Sequence, residues 1–319
     1  MHATKGRHAD RNDCAQAEAV SAPVATEHSD PRFTGLDGWD DAAILSALLD
    51  GQKRGLDAVT AAIPDIAKAA AMGVQALQAG GRLIYVGAGS PGLIALGDAL
   101  EIPQTYGIAR DRIEIVMAGG LAMTQELLGG PEDDAGLGEA DLGALGIGPN
   151  DCAICISASG TTRYTVAALR AARSAGARTV GIAGNGGAPL LLEADVAILL
   201  ATGAEVISGS TRMAAGTAQK AALNMLSTLI GVRMGHVHDN FMVNVTADND
   251  KLVLRATGIV AHIAGVGPEI AARAMETANN EVKPAILLAA GAKDLSEARE
   301  LLAQSGGVVR KALGLLGRT

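Results

Sequence analysis

The sequence predicts an α/β fold: a doubly wound parallel sheet in a three-layer αβα arrangement, followed by a small helical C-terminal subdomain. Three observations predict it. Short apolar runs rich in β-branched residues, at 83–86, 113–117, 152–156, 179–183 and 196–200, alternate with stretches of helical periodicity. The first run passes into Gly87, Gly89 and Gly92 and then a helix, the strand–loop–helix order of sheets that bind ligands at the carboxyl ends of their strands. From about Gly258 onward the runs stop, and a helical pattern broken at Gly265-Val266-Gly267-Pro268 and Gly306-Gly307 reads as a small bundle. A length of 319 residues fits about two domains. The expected division is a disordered tail at 1–24, a main domain with N-terminal helices at 25–257, and the helical subdomain at 258–319.

Taken in order, residues 40–49 and 55–62 carry apolar positions at helical spacing. Pro64 is expected to start a new helix running to Leu77 and closed by Gly80-Gly81. After residues 83–86 the glycines allow close backbone approach, and the free N–H groups of the following helix favour an anion. Pro91 fits the first helical turn, where its missing N–H costs nothing. That helix is expected to run to about Leu100, which places Glu101, just ahead of Pro103, at a helix end facing the cleft. The spacing Gly87-x-Gly89-x-x-Gly92 also matches a dinucleotide fingerprint. The fingerprint asks for a carboxylate at the end of the second strand, where this chain has Ala118-Gly119-Gly120. A phosphate monoester, with Ser90 as a contact, suits the loop better.

A helix is expected near residues 122–128, then a loop whose three consecutive acids, Glu132-Asp133-Asp134, have solvated surface as their ordinary fate. The strand at 152–156 runs into Ser157-Ala158-Ser159-Gly160-Thr161-Thr162 and a further helix. Four hydroxyls exceed the single side-chain oxygen that an N-cap uses, so this turn is read as a second phosphate-contacting loop, with Ser157, Ser159 and Thr162 as contacts. The polar loop at 202–212 precedes a long helix expected over 213–234. Its apolar circumference predicts a core or interface helix, interrupted by Gln219 and Lys220.

Cys152 and Cys155 lie on opposite faces of a predicted strand, which reads as two buried hydrophobes rather than a redox pair. With Cys14 they are too few for a disulfide framework. His236 and His238 have no further His or Cys nearby, which argues against a metal site. A net charge of −8 with 2% aromatics argues against nucleic acid. No run of 18 apolar residues occurs, and the first 24 residues lack a signal-peptide pattern, so the expectation is a cytoplasmic protein with no membrane partner.

From about Thr26 to Leu316 the chain resembles the N-acetylmuramic acid 6-phosphate etherases of the SIS (sugar isomerase) superfamily of sugar-phosphate binders. The family's opening Thr-Glu pair is similar to Thr26-Glu27, and its glycine loop resembles Gly87-Ala88-Gly89-Ser90. Its Asp-Ala-Ser-Glu-Cys-Pro-Pro-Thr run is similar to Asp98-Ala99-Leu100-Glu101-Ile102-Pro103-Gln104-Thr105. Ala118-Gly119-Gly120 with Gly130-Pro131-Glu132-Asp133-Asp134, and Ala158-Ser159-Gly160 with Thr162 and Tyr164, fit its next signatures. The most specific block is Gly209-Ser210-Thr211-Arg212, Ala215-Gly216-Thr217-Ala218-Gln219-Lys220 and Leu223-Asn224-Met225-Leu226-Ser227-Thr228.

The resemblance implies Glu132 as the base that takes the C2 proton of an open-chain 2-acetamido sugar phosphate, and Glu101 as the acid for the departing lactyl ether oxygen. Two carboxyl groups held at different pKa values suit that pairing. It further implies a homodimer whose cleft borders the second subunit, and calls for no metal or organic cofactor. Three positions depart from the family pattern: Pro91 stands for a residue with a hydroxyl and an N–H, Leu93 for an arginine and Ala214 for a lysine. They leave open a different sugar phosphate. The alternatives are a sugar-phosphate sensor without turnover and a sugar-phosphate isomerase.

Overall fold

The computed structural model describes residues 25–318 apart from 121, 123–125 and 127–128. The tail at 1–24, Cys14 and most of the helix expected near 122–128 lie outside the described residues. Five parallel strands form the central sheet: β1 (Leu83–Gly87), β2 (Ile113–Met117), β3 (Cys152–Ile156), β4 (Arg178–Ala183) and β5 (Val196–Leu199). Their spatial order is β2-β1-β3-β4-β5. The chain leaves β1 for β2 on one side and returns for β3 on the other. A crevice therefore opens beyond the carboxyl ends of β1 and β3. Asp151, just ahead of β3, accepts from the backbone N–H of Arg82 at 2.8 Å and from its guanidinium at 2.8 Å, which fixes the starts of these two strands together.

Strand alternation sorts the core into two layers. Tyr85, Cys152, Ile154, Ile156, Ile182 and Ile198 face one side, where α1 (Asp41–Gln78), α2 (Gly89–Tyr106) and α6 (Ala214–Arg233) cover them. Ile84, Val86, Ala153 and Cys155 face the other, beneath α3 (Ala135–Ala144), α4 (Arg163–Ser174) and the short α5 (Pro189–Leu192). Cys152 and Cys155 are both buried and belong to opposite layers, as the period of a strand requires. Burial pushes the Cys152 thiol up to about 12 and the Cys155 thiol higher still, so neither supplies a thiolate.

Two helices differ from expectation, both at prolines. Pro64 starts no helix; it sits inside α1, one unbroken helix of 38 residues capped by Asp40. Pro64 and Thr60, whose carbonyl loses its partner, are both exposed, so water can satisfy that oxygen. Likewise α2 does not stop near Leu100 but runs through Pro103 to Tyr106 and ends at Gly107 in the left-handed conformation. Asn244 donates to the Tyr106 carbonyl at 2.8 Å and covers that end. Glu101 is therefore inside a helix, not at its end.

A two-stranded ribbon, β6 (Val237–His238) with β7 (Phe241–Met242), leads into α7 (Asp250–Ala264), α8 (Pro268–Thr277), α9 (Val282–Ala290), α10 (Leu295–Gln304) and α11 (Val309–Leu315). These helices bury their own cluster, centred on Val260, Ala285, Ile286 and Leu287. That separate core supports two structural units. Because α7 runs unbroken across residues 257 and 258, we propose that the joint lies ahead of Asp250.

Candidate active site

β1 passes into α2 through a single residue, Ala88. The turn is that short because Gly87 and Gly92 touch: a Cβ on Gly87 would lie 2.8 Å from the Gly92 Cα. No side chain caps α2. Its first N–H groups are thus offered at the crevice, with Ser90 and the buried Pro91 beside them.

The β3–α4 turn stands next to it. Thr162 occupies the N-cap position of α4, yet its hydroxyl makes no cap bond. Its Oγ1 lies 2.8 Å from the Ser157 Oγ, which also accepts from the Gly160 N–H at 3.0 Å. The Ser159 Oγ accepts from the Thr161 N–H at 3.1 Å and from the Thr161 hydroxyl at 3.0 Å. Ser157 is 2% exposed and braces the turn from beneath; Ser159, Thr161 and Thr162 line the cleft. The hydroxyls are thus not spent on helix capping. If they hold a phosphate, Ser159→Ala is expected to weaken substrate binding by about 1.5–3 kcal/mol, the value of a hydrogen bond to a charged group. Titration calorimetry with the fold checked by circular dichroism reads this, and unchanged affinity would return the turn to a structural role.

The third wall is a 3₁₀ turn at Gly130–Asp133. Asp133 and Asp134 are exposed, as expected of acids on a loop, whereas Glu132 is half-buried. Asp134 caps α3, its Oδ1 accepting from the Leu137 N–H at 3.0 Å. Glu132 and Asp133 line the cleft, and the Glu132 Oε2 lies 3.4 Å from where a Cβ on Gly89 would stand. Burial, with the Asp133 charge adding to it, lifts Glu132 above the usual carboxylate range. Glu27 and Thr211 close the fourth side. The enclosed volume is about 470 Å³, and among the described residues no lysine or arginine lines it. A larger hollow of about 670 Å³ beyond Gly130 and Asp133, bounded by Arg163 and Arg170, contains neither the glycine turn nor Glu132.

Of the residues singled out from sequence, the fold brings Ser90, Glu132, Ser159 and Thr162 to one cleft and puts Ser157 just beneath it. It does not bring Glu101 there. Twelve residues separate Gly89 from Glu101 within α2, about 18 Å along the axis at about 1.5 Å per residue. Glu101 points outward on the α2–α6 flank, its side chain 69% exposed, with the Lys220 Nζ 3.9 Å away. Of the three departures, only Pro91 touches the cleft. Leu93 is not among its lining residues, and Ala214 is buried with its carbonyl against Gly55.

Sequence reasoning missed several groups. Glu27 entered only as part of a family signature, although it is a wall of the cleft. Glu205 is 1% exposed and accepts from the N–H groups of Ala214 and Ala215 at 2.9 Å each, so it caps α6 from nine residues upstream, a distance with no local signature. Asp98 is buried and accepts from the Tyr85 hydroxyl at 3.0 Å, Asn224 at 2.7 Å and Ser227 at 3.0 Å. A lone carboxylate inside an apolar helix was the available signal for it.

A SIS domain model matches residues 126–229. N-acetylmuramic acid 6-phosphate etherase of Deinococcus radiodurans is 42% identical over 92% of this chain and 97% of its own length. That of Geobacillus thermodenitrificans is 43% identical over 91% and 98%. Among solved structures, a phosphoheptose isomerase from Francisella tularensis aligns with a TM-score of 0.43 at 20% identity, covering 62% of this chain and 97% of that one. On the identity and near-complete coverage of these relatives, the chain belongs to the N-acetylmuramic acid 6-phosphate etherase family.

Proposed function

We propose that the protein is the lyase its family is named for. It cleaves the lactyl ether of N-acetylmuramic acid 6-phosphate to D-lactate and N-acetylglucosamine 6-phosphate, a cytoplasmic step in recovering cell-wall amino sugars. The observation that carries this reading is Glu132, a carboxylate made more basic by burial and set in one cleft with uncapped helix N–H groups and the hydroxyls of the β3–α4 turn. The phosphate takes those donors. Glu132 removes the C2 proton, which is acidic beside the aldehyde of the open-chain sugar. The C3–O bond then breaks as an acid protonates the ether oxygen, and water adds at C3.

Glu101 fills the acid role only from a second subunit, since its own cleft lies a helix length away. The two helices that carry Glu101 and Lys220 also expose Leu100, Met225 and Val232. A homodimer joined there, with Glu101 of one subunit facing the Glu132 cleft of the other, supplies both carboxylates and brings Lys220 to a cleft that lacks a cation. Incubation with N-acetylmuramic acid 6-phosphate followed by an assay for free D-lactate tests the reading. A sensor releases none, and an isomerase exchanges C2 without expelling lactate.

The base role also fixes a pH dependence. Glu132 acts as carboxylate, so C2 exchange appears as pH rises through its raised pKa. Asp133→Asn removes the like charge but not the burial, so the acidic limb of the exchange profile is expected to move to lower pH. An unmoved limb would separate Asp133 from the titration of Glu132.

A further inference from the structure

Lys220 projects from α6 toward α2, its Nζ 3.9 Å from the Glu101 Oε2 and hydrogen-bonded to no described residue. Its place is set from beneath. The buried Asp98 takes Asn224 and Ser227 of α6 on one oxygen and Tyr85 of β1 on the other, which locks the two helices together. Lys220 and Asn224 are four residues apart on α6, and Asp98 and Glu101 three apart on α2, so the outer pair continues the inner one on the same seam. The backbone that carries Lys220 is held in place, and among the described residues its ammonium has only the loose ion pair with Glu101.

The chemistry of the leaving group gives that ammonium a task. The D-lactyl group bears its carboxylate on the carbon bonded to the ether oxygen. An acid placed to protonate that oxygen is therefore beside a second negative charge. The cleft itself offers Glu27, Glu132 and Asp133 and no cation. We propose that Lys220, carried into the cleft with Glu101 by the same subunit, binds the lactyl carboxylate and so selects the 3-O-lactyl sugar phosphate over one whose C3 oxygen bears no acid. This assignment rests on the reading of Glu101 as the leaving-group acid.

The test compares two substrates: N-acetylmuramic acid 6-phosphate, and the 3-O-ethyl ether of N-acetylglucosamine 6-phosphate, which is the same ether without the carboxylate. Lys220→Met is expected to raise KM for the lactyl substrate about tenfold to a hundredfold, the worth of a charge-assisted contact. KM for the ethyl ether should stay within twofold of the unaltered protein, and Lys220→Arg should recover most of the loss. Inhibition by added D-lactate should weaken in Lys220→Met. Equal losses on both ethers would make Lys220 a structural residue, and no loss on either would remove it from the site; each result overturns the proposal. A Glu101→Gln protein that still expels ethanol from the ethyl ether at the native rate would overturn the acid assignment instead, whatever Lys220→Met does.

Discussion

Glu132→Gln is expected to abolish both the release of D-lactate and the exchange of the C2 proton with deuterated solvent, whereas Glu101→Gln blocks release and leaves exchange measurable. The amide keeps the volume of the side chain and removes the titrating group, so each loss should be about 10²–10⁴-fold, the range of general acid–base catalysis. The asymmetry follows from the order of events. Proton removal at C2 needs only the base and the aldehyde, and the proton can return before the C3–O bond breaks. Nuclear magnetic resonance of the C2 proton follows the first half-reaction; a lactate assay follows the second. Because Glu132 lies in the cleft and Glu101 on the outer flank of α2, neither substitution removes a hydrogen bond of the core. Near-native lactate release from both variants would refute the two-glutamate mechanism.

What the sequence made legible followed periodicity and local chemistry. The five strands fall within one residue of their expected bounds because runs such as Cys152–Ile156 are buried on both faces and admit few other readings. The surplus of hydroxyls at the β3–α4 turn was legible for a similar reason: one cap uses one oxygen, and four were present. The prolines misled. Whether Pro64 or Pro103 ends a helix depends on what satisfies the freed carbonyl and on whether the neighbouring helices hold the axis, and both are tertiary facts. The place of Glu101 was lost with the end of α2, since six more helical residues turn a cleft-facing terminus into an outward-facing side chain. Glu27 meets loops far from it in sequence and Glu205 caps a helix nine residues on, and no spacing rule reaches either.

Mixing the two inactive variants decides which subunit supplies Glu101. If each cleft takes Glu132 from one chain and Glu101 from its partner, a mixed dimer holds one cleft with both carboxylates intact and one with neither. Random exchange of equal amounts then makes half of the dimers mixed, and lactate release should recover to about a quarter of the native rate, as a two-fold interface that swaps one residue requires. If both carboxylates serve the cleft of their own chain, every cleft in the mixture lacks one of them and nothing is recovered. The expectation is recovery, because Glu101 is carried about 18 Å along α2 from the glycine turn that Glu132 faces. Sedimentation at micromolar concentration supplies the matching observable. A dimer joined through the exposed apolar residues of α2 and α6 should lose association on Met225→Lys, and lactate release should fall with it as Glu101 is withdrawn. A monomeric protein with full activity would place the acid within one chain and reject the shared cleft.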